Sequence, residues 1–243
     1  MPDYIVTPEG RRLNKIATRT TTPVSDTTVK VVHADTPRVC YNMPNEEFFP
    51  LMMRLRDKAV RLIGDRLTEL ARWDSADRDK VVLWLGEDSE ATRQALRDGL
   101  TRMREIMLGL TEKNFVTFTP EGVRAVGCEP KSKEGDIPAT ASVCRFDGTY
   151  TIFIGERFCV TEPEQNHIDT GIPFDADSKL TVLIHEVSHF QKSMNTDDPF
   201  YAIWGATTAA RRRDPLTIKN ADNIAYYVTN IPNWKYDPPQ WRP

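Results

Sequence analysis

The run from position 183 to 190 places two of the chain's four histidines in the pattern His185-Glu186-x-x-His189. Apolar residues recur around this pattern at helical spacing and predict a buried helix: Leu180, Leu183, Ile184 and Val187. Because residues four apart lie on one face of a helix, both imidazoles can bind one metal ion, and Glu186 can act as general base. The pattern predicts a zinc hydrolase, although this spacing also arises by chance.

A catalytic zinc ion takes three protein ligands and leaves one position open. Downstream of His189 there is no further histidine and no glutamate, so the candidates there are aspartates: Asp197, Asp198, Asp214, Asp222 and Asp237. Asp198 is the best placed, since a polar segment able to end a helix separates it from His189. Adjacent acids before Pro199 are equally typical of a helix start, and His33 or His167 upstream remains an alternative ligand.

Three segments of the chain carry a family resemblance: His185-Glu186-x-x-His189, Thr196-x-Asp198-x-x-Tyr201 and Asn220-Ala221-Asp222. Together they resemble the aspzincin metallopeptidases, the family of deuterolysins and peptidyl-Lys metalloendopeptidases, within a stretch from about position 128 to 230. The resemblance implies one Zn²⁺ ion held by His185, His189 and Asp198. It also implies that Tyr201 stabilises the oxyanion of the tetrahedral intermediate, and that Asp222 belongs to the pocket for the side chain after the scissile bond.

The chain departs from the family pattern at three positions. Asn195 and Ala202 stand where the family has glycines, and both replacements are tolerated if the local backbone keeps a negative φ, although a glycine would permit more conformations. Ala225 stands where lysine-specific members carry a second acid, so a preference for lysine after the scissile bond would depend on Asp222 alone.

Four cysteines show none of the close pairing of a zinc ribbon. Their even number is compatible with two disulfides, and four buried thiols in a reducing cytosol are the alternative. The family resemblance favours Cys40–Cys128 and Cys144–Cys159. Disulfides would indicate a secreted, periplasmic or extracellular protein, and since the N-terminus has no signal-peptide pattern, we consider export without one.

Composition limits the possible functions. With 243 residues and 40% hydrophobic content the chain can bury one core, and a net charge of −3 gives no basic footprint for nucleic acid. The one tight basic cluster, Arg211-Arg212-Arg213, suits a helix C-terminus. No run has the apolar length of a membrane span. We expect a monomer whose partner is a polypeptide substrate.

Hydrophobic periodicity predicts an α+β protein: a helical N-terminal half, then a zincin-like catalytic half with a small antiparallel sheet and the HExxH helix. The expected divisions are a polar, loosely ordered arm at 1–36, a helical subdomain at 37–112, and a catalytic subdomain at 113–243 with a tail rich in proline and aromatics. Helices are predicted over 45–73, 79–85, 89–110, 200–213 and 215–229.

Strands are predicted at 29–32, 114–119, 141–146 and 149–158, the last two joined in a hairpin at Asp147-Gly148. We expect the strand at 149–158 to be an exposed edge that binds the substrate backbone by strand addition. Together these features predict a zinc metalloendopeptidase. The alternatives are a bacterial effector or toxin hydrolase with a narrow protein or peptidoglycan target, and a non-cleaving binding protein on the same fold.

Overall fold

The structure, a computed structural model, describes residues 37–130, 140–164 and 177–230 fully, and of residues 1–36 only the backbone of four short strands. The chain forms two compact units, Met1–Arg38 and Val39–Pro243. Some sequence predictions lie outside the described residues: the tail at 231–243 and the side chains of His33 and His167.

The N-terminal unit contains two antiparallel strand pairs. Strand β1 (Tyr4–Val6) pairs with β2 (Arg12–Asn14), and β3 (Arg19–Pro23) pairs with β4 (Lys30–Ala34). The strand predicted at 29–32 therefore corresponds to β4.

Three helices follow the predicted order in the second unit: α1 (Asn45–Arg72), α2 (Ser75–Leu85) and α3 (Glu90–Gly109). Helix α1 packs against α3, and its buried face carries apolar residues at helical spacing: Phe48, Met52, Leu55, Ala59, Ile63 and Leu70. Asp74 starts α2 with a capping box, and Ser89 caps α3 by accepting a hydrogen bond from the Thr92 backbone N–H. Gly86 ends α2 at φ +85°, where a Cβ would lie 2.2 Å from the Ala210 carbonyl oxygen.

The rest of the second unit alternates strands and short helices. In chain order these are β5 (Phe115–Thr117), α4 (Pro120–Ala125), β6 (Ala141–Val143), β7 (Ile152–Ile154), α5 (Glu156–Val160), α6 (Lys179–His189), α7 (Ala202–Arg211) and α8 (Ala221–Thr229). Helix α6 lies in the core, against α1, α8 and β6. No helix in the described ranges combines the length and apolar character needed to cross a membrane.

The three-stranded sheet of the second unit differs from the predicted antiparallel one. Its order is β5-β7-β6, with β7 antiparallel to β6 but parallel to β5, so it is a mixed sheet. The hairpin is confirmed, but the connection is wider than the predicted two-residue turn. The reason is Asp147, whose carboxylate accepts hydrogen bonds from the Thr149 and Thr151 backbone N–H groups and organises a longer loop.

The substrate-edge prediction for 149–158 is wrong. Within the described sheet β7 is the central strand, so its backbone hydrogen bonds are already made on both sides. The predicted strand also ends early, because Gly155 starts α5, which buries Phe158 and Cys159 in the core.

The predicted disulfide pairing is wrong as well: the bonds are Cys40–Cys159 and Cys128–Cys144. The antiparallel hairpin explains this, because Cys144 follows β6 at the loop end, while Cys159 lies beyond the opposite end of β7. Cys128, just after α4, lies next to Cys144 with a Cα–Cα distance of 5.8 Å. The prediction of two disulfides is correct and is compatible with an oxidising environment.

Removing either bond should lower the free energy of unfolding, and the longer loop should matter more. We expect a loss of about 4–5 kcal/mol for the Cys40→Ser/Cys159→Ser double variant and about 3 kcal/mol for Cys128→Ser/Cys144→Ser. Urea unfolding of the three proteins measures the difference. Mass mapping of unreduced peptides is the control, and recovery of a Cys40–Cys128 peptide would contradict the observed connectivity.

Candidate metal centre

Helix α6 brings the two motif histidines to one face, as predicted. Its first turn is capped by Ser178, whose hydroxyl accepts a hydrogen bond from the Thr181 backbone N–H. The imidazoles of His185 and His189 lie at the partly exposed edge of an otherwise buried helix. Glu186, between them in sequence, is only 5% exposed.

Three side-chain atoms converge at this edge. The Nε2 atoms of His185 and His189 lie 3.1 Å apart. The Oδ1 atom of Asp198 lies 3.2 Å from the first and 3.3 Å from the second. Two ligand atoms bonded to one tetrahedral zinc ion at about 2.0–2.1 Å are about 3.3 Å apart, so the triangle has the right size.

The hydrogen bonds of the imidazoles show which atoms are free to bind a cation. His185 donates from Nδ1 to the Asp222 carboxylate, at 2.6 Å, and His189 donates from Nδ1 to the Thr196 carbonyl oxygen, at 3.1 Å. In neutral imidazoles, both Nε2 atoms then present lone pairs to Asp198 Oδ1, which is buried and has no hydrogen-bond partner among the described residues. Three acceptors facing one another fit a cation between them.

The electrostatics of the cluster also favour positive charge at this point. Burial alone would lower the pKa of His185, but the carboxylates of Asp198 and Asp222 raise it well above its ordinary value. Burial alone would raise the pKa of Asp198, but the two imidazoles hold it well below its ordinary range. A bound divalent cation would satisfy the same preference without a proton.

Asp198 lies on the segment between α6 and α7, which we call the ligand loop (residues 195–201). Backbone pairing with the segment before α8 holds this loop: Asp197 N–H donates to the Lys219 carbonyl at 2.7 Å, and Ala221 N–H donates to the Asp197 carbonyl at 2.9 Å. Arg145, from the loop after β6, donates to the Thr196 carbonyl at 2.7 Å. The ligand loop is thus fixed from two sides.

This pairing explains two boundaries that the sequence misplaced. Helix α8 starts at Ala221, because the backbone at 219–221 leaves the helical conformation to pair with the ligand loop. Asn220 is extended there, and its side-chain oxygen accepts a hydrogen bond from the Phe200 N–H. Helix α7 starts at Ala202, so Asp198 precedes the helix instead of opening it.

The backbone does not keep a negative φ at the two replaced glycines. Asn195 has φ +54° and Ala202 has φ +58°, both in the left-handed region. For an alanine this costs about 1–2 kcal/mol. Part of that cost is offset at Ala202, whose N–H donates to the second oxygen of Asp222 at 2.6 Å. Asp222 therefore joins His185 to the backbone that follows Tyr201.

Tyr201 and Asp222 both lie at the metal centre. Tyr201 occupies the N-cap position of α7 and is 70% exposed. Desolvation and the nearby carboxylates of Asp198 and Asp222 raise the pKa of its phenol, so that it stays a hydrogen-bond donor at neutral pH. Asp222, in the first turn of α8, is nearly buried.

Three residues that position this site received no role from the sequence. Thr196 is fully buried, and its hydroxyl bonds to that of Ser188 at 2.6 Å. Asn220 holds the ligand loop as described above. Thr196 and Asn220 both belong to the segments that resemble the family, so the sequence pointed to them without indicating what they do. Arg145 had no sequence signal, since only the folded hairpin brings it to the ligand loop.

Comparisons with known proteins agree with the fold. A family model described as aspzincin M35, lysine-specific metallo-endopeptidase, matches residues 71–229. A peptidyl-Lys metalloendopeptidase of Pleurotus ostreatus is 43% identical over 56 residues, which is 23% of this chain and 33% of that protein. The match thus spans a third of that relative's length.

Among solved structures, a zinc peptidase from Grifola frondosa is similar to this chain. The TM-score is 0.56 at 18% identity, over 77% of this chain and 97% of that one. This likeness supports the mixed α+β fold. Since the family model covers well over half of the residues, the chain belongs to the aspzincin M35 family of metalloendopeptidases.

Proposed function

We propose that this protein is a zinc-dependent endopeptidase that cleaves polypeptides at the centre formed by His185, His189 and Asp198. The observation that carries the proposal is the convergence of three acceptor atoms, 3.1–3.3 Å apart, one of them buried with no hydrogen-bond donor in the described part of the chain. Two histidines and a carboxylate are a donor set that zinc accepts, and three protein ligands leave a position open for catalysis. Membership of a metalloendopeptidase family supports the same activity.

The remaining site residues supply the proton transfers and the charge stabilisation. Zinc, when bound, contributes Lewis acidity, which polarises a carbonyl and makes water a better nucleophile near neutral pH. Glu186 follows a ligand on α6, takes the proton of the attacking water, and passes it to the leaving amine. The protonated phenol of Tyr201 donates to the negative charge that develops on the carbonyl oxygen.

Asp222 acts here as a positioning residue. One of its oxygens fixes His185 through Nδ1, and the other fixes the backbone beyond Tyr201 through the Ala202 N–H. A carboxylate bound to the outer nitrogen of a zinc ligand sets its tautomer and raises its basicity. Asp222 thus ties a zinc ligand and the phenol donor to one carboxylate.

Replacing Asp222 by asparagine should weaken zinc binding by about 10–100-fold, because His185 loses a charged partner that orients it. Competition with a chromogenic chelator measures the affinity. Asp65→Asn, at an exposed position on α1, is the matched control and should keep wild-type affinity. Wild-type zinc affinity in Asp222→Asn would show that the carboxylate does not position the ligand.

A preference for lysine after the scissile bond fits a second carboxylate at the site. Tyr226 lies one helical turn after Asp222 on α8, and its hydroxyl donates to the Asp177 carboxylate at 2.6 Å. Desolvation and the negative charge of Asp222 raise the pKa of the Asp177 carboxyl. Asp177, just before α6, therefore provides the second carboxylate that is missing at position 225 on α8. The carboxylates of Asp177 and Asp222 together attract an ammonium group.

The substrate backbone would bind at an edge of the mixed sheet. Strand β6 pairs only with β7 in the described sheet and packs against α6, which carries the histidines. The loop after β6 carries Arg145, which anchors the ligand loop. An extended polypeptide can add to such an edge by main-chain hydrogen bonds.

The two disulfides suit a secreted or extracellular protein, and we expect it to act as a monomer.

The alternatives gain less support. A non-cleaving binding protein would have to lack a catalytic group, whereas the chain contains the three candidate ligands, Glu186 and Tyr201. The matched relatives offer no support for an effector or a peptidoglycan hydrolase.

Cleavage-site mapping by mass spectrometry on an unfolded protein mixture tests the activity and its specificity together. Wild-type protein should produce chelator-sensitive cuts enriched for lysine after the scissile bond. Asp177→Asn should keep cutting but lose several-fold of the lysine enrichment. Cuts that persist in the chelator would contradict the metal mechanism. Unchanged enrichment in Asp177→Asn would refute the role of that carboxylate alone.

A further inference from the structure

Trp204 has an unusual environment for a tryptophan. Of the three tryptophans in the described ranges, Trp84 is fully buried and Trp73 packs under the Arg93 guanidinium, 4.9 Å from its ring centroid. Trp204 is 60% exposed and has no aromatic or cationic partner among the described residues. Tryptophan side chains usually bury much of their large apolar surface, so a ring left open to solvent is a candidate contact point.

The position of Trp204 connects it to the metal centre. It lies in the first turn of α7, three residues after Tyr201, which is itself 70% exposed. Tyr201 is the N-cap of α7 and Trp204 is its third residue, and because an N-cap side chain reaches the backbone N–H of that third residue, the two positions belong to the same turn. The intervening Ile203 is buried, so this turn is anchored in the core while Tyr201 and Trp204 are both exposed.

The contacts around Tyr201 hold the first turn of α7 next to the metal centre. Its phenol lies close enough to Asp198 and Asp222 for both carboxylates to raise its pKa. The backbone at Ala202, between the two aromatic residues, is held by the hydrogen bond to Asp222. The first turn of α7 is therefore continuous with the metal centre and held rigidly next to it.

We propose that Trp204 forms a subsite that takes an apolar or aromatic side chain of the polypeptide substrate, close to the scissile bond. This inference rests on the proposed endopeptidase function and extends it to a second specificity contact. One helical turn rises about 5.4 Å and an extended chain advances about 3.3 Å per residue, so a subsite one turn from Tyr201 corresponds to one or two residues from the bond that is cut. Stacking on an open indole ring favours flat or large apolar side chains over glycine.

The test is a set of fluorogenic peptides in which phenylalanine or glycine occupies each position within three residues of the cleaved bond. For wild type we expect one position where the Phe peptide exceeds the Gly peptide in kcat/KM by about tenfold. Trp204→Ala should reduce that ratio to within about twofold of one, and Trp204→Phe should keep part of it. Tyr41→Ala, which removes another aromatic side chain that is 60% exposed, is the matched control and should keep the wild-type ratio.

The outcomes separate this inference from the proposed function. Cleavage with the same ratio in Trp204→Ala as in wild type, or with no Phe preference at any position, would overturn the subsite and leave the peptidase intact. If wild type cleaves nothing, fluorescence anisotropy of the labelled peptides replaces kinetics. Tighter binding of a Phe peptide that depends on Trp204 would then support the subsite without the peptidase, and equal binding would overturn both.

Discussion

Glu186→Gln is expected to bind zinc as the wild type does and to lose about 10²–10⁴-fold in kcat, the usual contribution of a positioned general base. Glutamine has nearly the same size and shape, so the buried position on α6 remains filled. Its amide cannot take a proton from water. Since the zinc ligands stay unchanged, Glu186→Gln removes the proton transfer and keeps the metal site.

Two measurements on the same preparation check this expectation: kcat on a fluorogenic peptide, and zinc per chain by elemental mass spectrometry. Glu105→Gln, at an exposed position of α3, is the matched control and should behave as wild type in both. Full activity in Glu186→Gln would show that another group serves as the base. Loss of zinc together with activity would show that Glu186 helps to hold the metal.

The second large effect is expected at Asp198, and its neighbour Asp197 provides the comparison. Asp198→Ala should weaken zinc binding by more than about 100-fold, because even the loss of an outer hydrogen-bond partner costs about 10–100-fold. Asp197→Ala should keep zinc. The Asp197 side chain is 68% exposed and pairs with Arg145 at the surface, and such pairs contribute about 0–1 kcal/mol.

Asp197→Ala is a matched control for Asp198→Ala, because both substitutions change the ligand loop and remove one negative charge. Zinc affinity and peptide turnover should fall together in Asp198→Ala alone. Equal loss in both variants would mean that the ligand loop depends on its net charge, with no specific ligand role for Asp198. Zinc binding preserved in Asp198→Ala would point to a ligand from the upstream histidines, His33 or His167.

Helical periodicity predicted the elements that carry the metal centre. The apolar spacing around His185 and His189 placed both on α6, and the pattern from 45 to 73 corresponds to α1. These predictions succeeded because burial of one face is a local property of the sequence. The grouping of Asp198 with the two imidazoles agrees with the family-like segments, although spacing alone left Asp197 and others open.

The features that the sequence could not predict depend on contacts between distant segments. The disulfide partners follow from the ends of the hairpin at which Cys144 and Cys159 lie. The central place of β7 depends on its parallel pairing with β5, which no local pattern shows. The positive φ of Ala202 is maintained by its hydrogen bond to Asp222, twenty residues away. In each case tertiary structure overrides the local preference.

Locating the bound metal tests directly whether His185, His189 and Asp198 form the zinc site. Crystals of zinc-loaded protein, measured above and below the zinc absorption edge, yield an anomalous map that shows only the ion. We expect one peak within about 2.0–2.2 Å of His185 Nε2, His189 Nε2 and Asp198 Oδ1. A peak elsewhere, or one that replaces Asp198 with His33 or His167, would contradict the site.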